Sequence, residues 1–231
     1  MEFTFILKRA ALFLFSAALV ALSALALFID VKWLNDTVQE ISVTEVAQEL
    51  ILAAIVAIFI FLAIRDRASR NLSILIAGFF GCMLIREMDF AFDALAHGAW
   101  VWFALLTTLV SLLFALRKPR DAASQLAQFL RHPACGMMMA GLLSVLVFSR
   151  LFGIHLLWQN LMQESYLRLV KNMVEEGIEL FGYTLCLVSS LWYAGLRIAR
   201  DVRPSLRLSR AKQSHPHSFF TGAAKTSRLK N

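Results

Sequence analysis

Six stretches of about 20 apolar residues, separated by short charged segments, constrain this chain more than any other feature. They run over 10–29, 46–64, 71–93, 98–116, 134–156 and 174–196. A helix needs about 20 residues to cross a hydrocarbon core of about 30 Å. Lipid admits only structures that satisfy their own backbone hydrogen bonds. The chain is therefore expected to be all-α: a polytopic membrane helix bundle with six transmembrane helices, occupying residues 1–200. With 59% apolar residues, a second sizeable soluble domain has no room. Residues 201–231 are rich in Ser, Arg and Lys and read as a basic disordered tail.

The charges between the stretches set the orientation. Lys8, Arg9, Arg65, Arg67, Arg70, Arg117, Lys118, Arg120, Arg131, Arg197, Arg200 and the tail fall on one face, leaving only five of the 23 Lys and Arg for the other. Cytoplasmic loops carry the excess of Lys and Arg. Both termini are thus expected in the cytoplasm, in a bacterial-type inner membrane. The formal net charge of +7 is absorbed by this topology, so nucleic acid is not an expected partner and membrane lipid is. The three cysteines form no CxxC pair, which removes a thiolate metal site or a disulfide framework from consideration.

Acidic residues show the opposite bias, which topology does not require. All but four of the 16 Asp and Glu lie on the outer side. Depth puts several of them inside the membrane. Between Arg70 and Arg86 lie fifteen uncharged residues, between Glu49 and Arg65 another fifteen, and between Glu179 and Arg197 seventeen. At the helical rise these groups stand about 24–27 Å from the cytoplasmic edge, short of a full crossing. Three helices thus deliver charge to a common depth. Ionisable groups there are costly and default to a functional reading.

Spacing adds direction. Residues three or four apart share a helix face. Glu45 and Glu49 are so spaced, as are Arg86, Asp89, Asp93 and His97 in succession, and Glu175 or Glu176 with Glu179. Arg150 and His155 form a looser series on the fifth stretch. Such stripes are expected to face other helices, placing stretches 2, 3, 5 and 6 around an outer-leaflet cavity with 1 and 4 on the lipid side. Trp33, Trp100, Trp102 and Trp158 fall near that boundary, as an interfacial aromatic belt.

The expected site follows. Glu49, Asp89, Asp93, Glu175, Glu176 and Glu179 are the candidate cation- or proton-binding residues. Arg86 and Arg150 are the charge-balancing cations or anion clamps, and His97, His155 and Glu45 are candidate ligands should a divalent metal be the cofactor. A local surplus of negative charge is relieved by a proton, a metal or a cationic solute. Three functions remain open. The first is binding or transport of a cation, proton or cationic solute, for which a homodimer is expected because six spans are few for alternating access. The second is a metal-dependent enzyme acting on a lipid or lipid-linked substrate. The third is a structural or accessory subunit. Nucleotide-binding glycine loops, HExxH and nucleophile elbows are absent. Asp89-Phe-Ala-Phe-Asp93 has the DxxxD form of membrane prenyltransferases, but those enzymes carry two such motifs. Glu175-Glu176 lacks the arginine that CAAX-type membrane proteases place four residues further on; Leu180 stands there.

Overall fold

The computed structural model describes residues 2–33, 42–94, 96–163 and 168–213. Among these every regular element is helical: α1 (Glu2–Trp33), α2 (Val43–Arg65), α3 (Arg70–Glu87), α4 (Asp89–Asp93), α5 (Trp100–Leu116), α6 (Pro119–Leu130), α7 (Pro133–Leu143), a π-helical turn (Ser144–Phe148), α8 (Ser149–Phe152), α9 (His155–Met162) and α10 (Arg168–Gln213). The contacts divide the chain into residues 1–194, which hold the core and everything described below, and residues from 195 onward.

Among the described residues three helical segments are long and apolar enough to cross a membrane: Glu2–Asp30, Val43–Arg65 and Pro133–Phe152. A fourth is reached if Trp100–Leu116 and Pro119–Leu130 count as one broken span, bent by 101°. The third and sixth expected spans also fall on helices, but on more polar ones. Arg70, Arg86 and Glu87 all lie within α3, and α10 carries Glu179, Thr184, Ser189 and Ser190 among its buried residues.

Local chemistry sets the boundaries. Ser42 and Glu45 form a reciprocal capping box at the start of α2, the S-x-x-E pattern of a helix N-terminus. Asp66 closes α2 and accepts from Ala68 N and Ser69 Oγ, at 2.9 and 2.7 Å, so α2 and α3 turn back on each other over four residues, 66–69. The segment read as a loop after the fourth stretch holds α6 instead. Pro119 and Pro133 open α6 and α7 at N-terminal positions where a missing N–H costs nothing. Only Ala122 and Phe129 of α6 are buried, the pattern of an amphipathic helix lying across the bundle end.

The core is built on α2, α3, α7 and α10. Leu52, Ile55, Phe59 and Leu62 of α2 meet Leu72 and Phe80 of α3, Met138 of α7 and Tyr183 and Tyr193 of α10. Tyr193 stacks on Phe59 and takes Phe129 edge-on, with centroids 6.2 and 5.1 Å apart. Ser189 Oγ donates to Ala134 O at 2.7 Å, tying α10 to the first turn of α7. The peripheral helices are those the sequence puts at the lipid side. Among the described residues α1 buries only Ala26, and α5 only Ala115. Helix α10 continues to Gln213, into the stretch read as a disordered tail, where Arg, Leu and Lys are good helix formers. Residues 214–231 of that tail lie outside the described residues.

Candidate functional site

Close backbone packing of α7 on α10 creates the site. A Cβ on Gly141 would sit 2.6 Å from Gly182 O, and one on Gly182 would sit 2.7 Å from Gly141 O. Neither position admits a side chain, so the helices meet backbone to backbone, as small residues permit in membranes. The π-turn follows directly, with Ser149 N bonded to Ser144 O. Its extra residue widens the helix. Beyond it, Ser149 and Arg150 meet the carboxylates of α10.

Arg150 bridges two of these. Its guanidinium contacts Glu179 closely and Glu175 at 3.3 Å. Glu179 is 5% exposed and also accepts from Ser149 Oγ at 3.2 Å. Lys171 Nζ holds the other oxygen of Glu175 at 2.9 Å. Glu175 fits because Gly153 leaves it room; a Cβ there would lie 2.5 Å from the carboxylate. Lys171, Glu175, Glu179 and Tyr183 follow one another at intervals of four along one face of α10. At the far end of this row, Tyr183 OH donates to Glu87 of α3 at 2.7 Å, and Arg86 contacts the same oxygen at 3.1 Å. Glu179 also lies within the electrostatic reach of Glu87 and Arg86. The row therefore unites three cations, Lys171, Arg150 and Arg86, with three anions, Glu175, Glu179 and Glu87. It is formally neutral.

Two carboxylates beside it are not compensated. Glu176 is half-buried on the next face of α10, and its backbone carbonyl accepts from Gln48 Nε2 of α2 at 3.2 Å. The charged groups that act on its side chain most strongly are acids: Glu45, Asp30, Glu179 and Glu175. Glu49 of α2, also half-buried, lies within reach of Glu45 and Glu87. No cation among the described residues pairs with either.

The remaining expected residues go elsewhere. The row Arg86–Asp89–Asp93–His97 is not one helical stripe, because the helix breaks at Met88. Asp89 is exposed. Asp93 accepts from Gly98 N at 2.8 Å and meets His97 Nδ1 at 3.1 Å. Those contacts fold the turn before α5, where Gly98 takes φ +76°; the His97 side chain is 99% exposed. Glu45 serves the capping box. His155 opens α9, exposed. Among the described residues no three His, Cys, Asp or Glu side chains gather to hold a metal. Trp158 is buried, and its indole N–H donates to Phe152 O.

Sequence reading missed three participants. Glu87, outside the candidate set, is the partner of both Arg86 and Tyr183. Tyr183 extends the i, i+4 series of Glu175 and Glu179 by one step, a signal that was present in the spacing. Asp30 had no such signal. It reaches from α1 to the start of α2, accepting from Val43 N at 2.8 Å and Thr44 N at 2.9 Å and contacting Thr44 Oγ1. No family model, curated protein or solved structure matches the chain.

Proposed function

We propose that this chain is a six-span inner-membrane protein with both termini in the cytoplasm, and that Glu49 and Glu176 bind a proton or a small cation on its outer side. The observation that carries this reading is the surroundings of Glu176, half-buried, with four acids as its strongest charged neighbours and no ion pair to a cation among the described residues. Repulsion among such groups is relieved by a bound proton or cation. The neutral row of Lys171, Glu175, Arg150 and Glu179 runs beside Glu176 on α10. Six spans are few for alternating access by one chain, so transport through this site calls for a homodimer.

The test is thermal unfolding of the purified protein in detergent, titrated with sodium, potassium, calcium or magnesium chloride against choline chloride. Glu176→Gln mimics the protonated carboxyl. It is expected to raise the melting temperature and to remove any cation-dependent stabilisation, since a ligand stabilises only the state that binds it. Loss of stability in Glu176→Gln would refute cation or proton binding there. A second reading then takes over, that of a structural or accessory subunit, which the three-for-three charge balance of the neighbouring row favours. Topology is tested separately. Reporters fused at the tail and after Asp30 are expected to score cytoplasmic and periplasmic, and the inverse result removes the outer-face site.

A further inference from the structure

A groove that the carboxylate row does not use runs along α3 from Arg70 to Ile85. It runs between α2, α3 and α5 and encloses about 640 Å³, lined by Ala63, Ala77, Gly78, Gly81, Ile64 and Ile85 among others. Small residues leave it empty. Gly78 brings α3 so close to α5 that a Cβ would lie 2.0 Å from Ser111 Oγ, yet Ala63, Ala77 and Gly81 project nothing large enough to fill the space beside that contact. Its walls are almost wholly apolar, the surface an acyl chain wets.

One end of the groove meets a second pocket of about 360 Å³, and Arg70 and Ile74 line both. The second pocket is polar and basic. Arg67, Arg70, Arg117 and Lys118 surround it, with Asp121 as its one acid, a formal +3. Its frame is held in place. Arg70 Nε donates to Ala63 O at 2.8 Å, Gln125 accepts from Leu72 N at 3.0 Å and so ties α6 to the start of α3, and Arg117 lies over the Phe114 ring at 4.7 Å. The pocket sits where α2 ends, α3 begins and α5 ends, at the membrane edge rich in Lys and Arg. An apolar slot continuous with a basic cup at the interface is the shape of one two-part molecule.

We propose that this composite site binds an anionic phospholipid, with an acyl chain in the groove between α2, α3 and α5 and the phosphate among Arg67, Arg70, Arg117 and Lys118. Charge selects the headgroup: basic pockets between spans on the cytoplasmic side attract anionic lipid. The groove supplies what a free anion lacks, burial of a chain. The site is independent of the carboxylates, since it shares no residue with them.

The experiment is native mass spectrometry of the full chain released from micelles supplied with equal amounts of dioleoyl phosphatidylglycerol and dioleoyl phosphatidylcholine. The wild type is expected to retain the anionic lipid about tenfold over the zwitterionic one. Arg67→Gln with Arg117→Gln and Lys118→Gln, which leaves the Arg70 bond to Ala63 intact, is expected to abolish that preference. Arg120→Gln with Arg131→Gln, basic positions on the same face outside the pocket, is expected to keep it. Gly81→Leu reaches into the groove and is expected to lower retention with every cation in place. Gly81→Ala, whose Cβ meets only Thr107 at an ordinary 3.5 Å, controls for folding. Equal retention of the two lipids, an equal loss in the Arg120/Arg131 variant, or full retention in Gly81→Leu overturns the proposal. Displacement of the lipid by millimolar inorganic phosphate also overturns it, by showing that the cup takes a free anion.

Discussion

Removing the Arg150 guanidinium is the sharpest perturbation of the polar row. Arg150→Ala takes the cation from between Glu175 and Glu179. Their fates differ. Glu175 keeps Lys171 at 2.9 Å, whereas Glu179, 5% exposed, keeps the Ser149 hydroxyl as its hydrogen-bond donor and Arg86 only at longer range. Breaking a fully buried pair costs about 3–5 kcal/mol. The Arg150 side chain is 44% exposed, so screening lowers the expectation to about 2–3 kcal/mol. For a chain of this size that corresponds to a fall of about 5–10 °C in melting temperature. The assay is thermal unfolding in detergent followed by circular dichroism, run as a cycle of variants. Adding Glu179→Gln to Arg150→Ala is expected to restore most of the loss, because it removes the orphaned charge. Adding Glu175→Gln is expected to restore nothing, because it strands Lys171. If Arg150→Ala melts within about 1 °C of wild type, or if both second substitutions rescue equally, the buried pair is not what holds α8 against α10.

Gly141→Ala is expected to destabilise by about 1–3 kcal/mol, since its Cβ meets the Gly182 carbonyl and the Cys186 backbone nitrogen. Gly136→Ala, with nothing within 4 Å, is expected to be neutral or to stabilise by up to about 1 kcal/mol; the same unfolding assay separates the two. Tyr183→Phe removes the hydroxyl that donates to Glu87 and is expected to cost about 1.5 kcal/mol, the low end for a bond to a charged group because Arg86 remains on that carboxylate. Asp30→Ala strips the carboxylate from the first turn of α2, with an expected loss of about 1–2 kcal/mol and faster amide hydrogen exchange at Val43 and Thr44.

Much of the architecture was legible in the letters. Apolar length and charge spacing identify the helices, and Ser42 with Glu45 marks the start of α2. The uncharged first and fourth stretches became the peripheral helices α1 and α5. Placement along a helix was legible too: the i, i+4 series from Lys171 through Glu179 is one face of α10. These readings work because helical period and rise are properties of a single element. Local pairing was less certain even so. Arg86 takes Glu87 and leaves Asp89 exposed, since the break at Met88 ends the face that would have joined Arg86 to Asp89.

What the sequence alone determined is therefore an all-helical chain with several segments apolar enough to cross a membrane, and the positions of its charges along those helices. Which carboxylates are neutralised was decided by tertiary structure. The backbone contact of Gly141 with Gly182 and the π-turn before Ser149 bring Arg150 onto Glu175 and Glu179, and the packing of α3 on α10 sets Glu87 against Tyr183. Charge counted along the chain predicts a surplus of acid at one end of the bundle, but that surplus is not shared evenly. It is cancelled along one face of α10 and left standing at Glu49 and Glu176, because an ion pair depends on which helix faces which, and helical period carries no information about a neighbour.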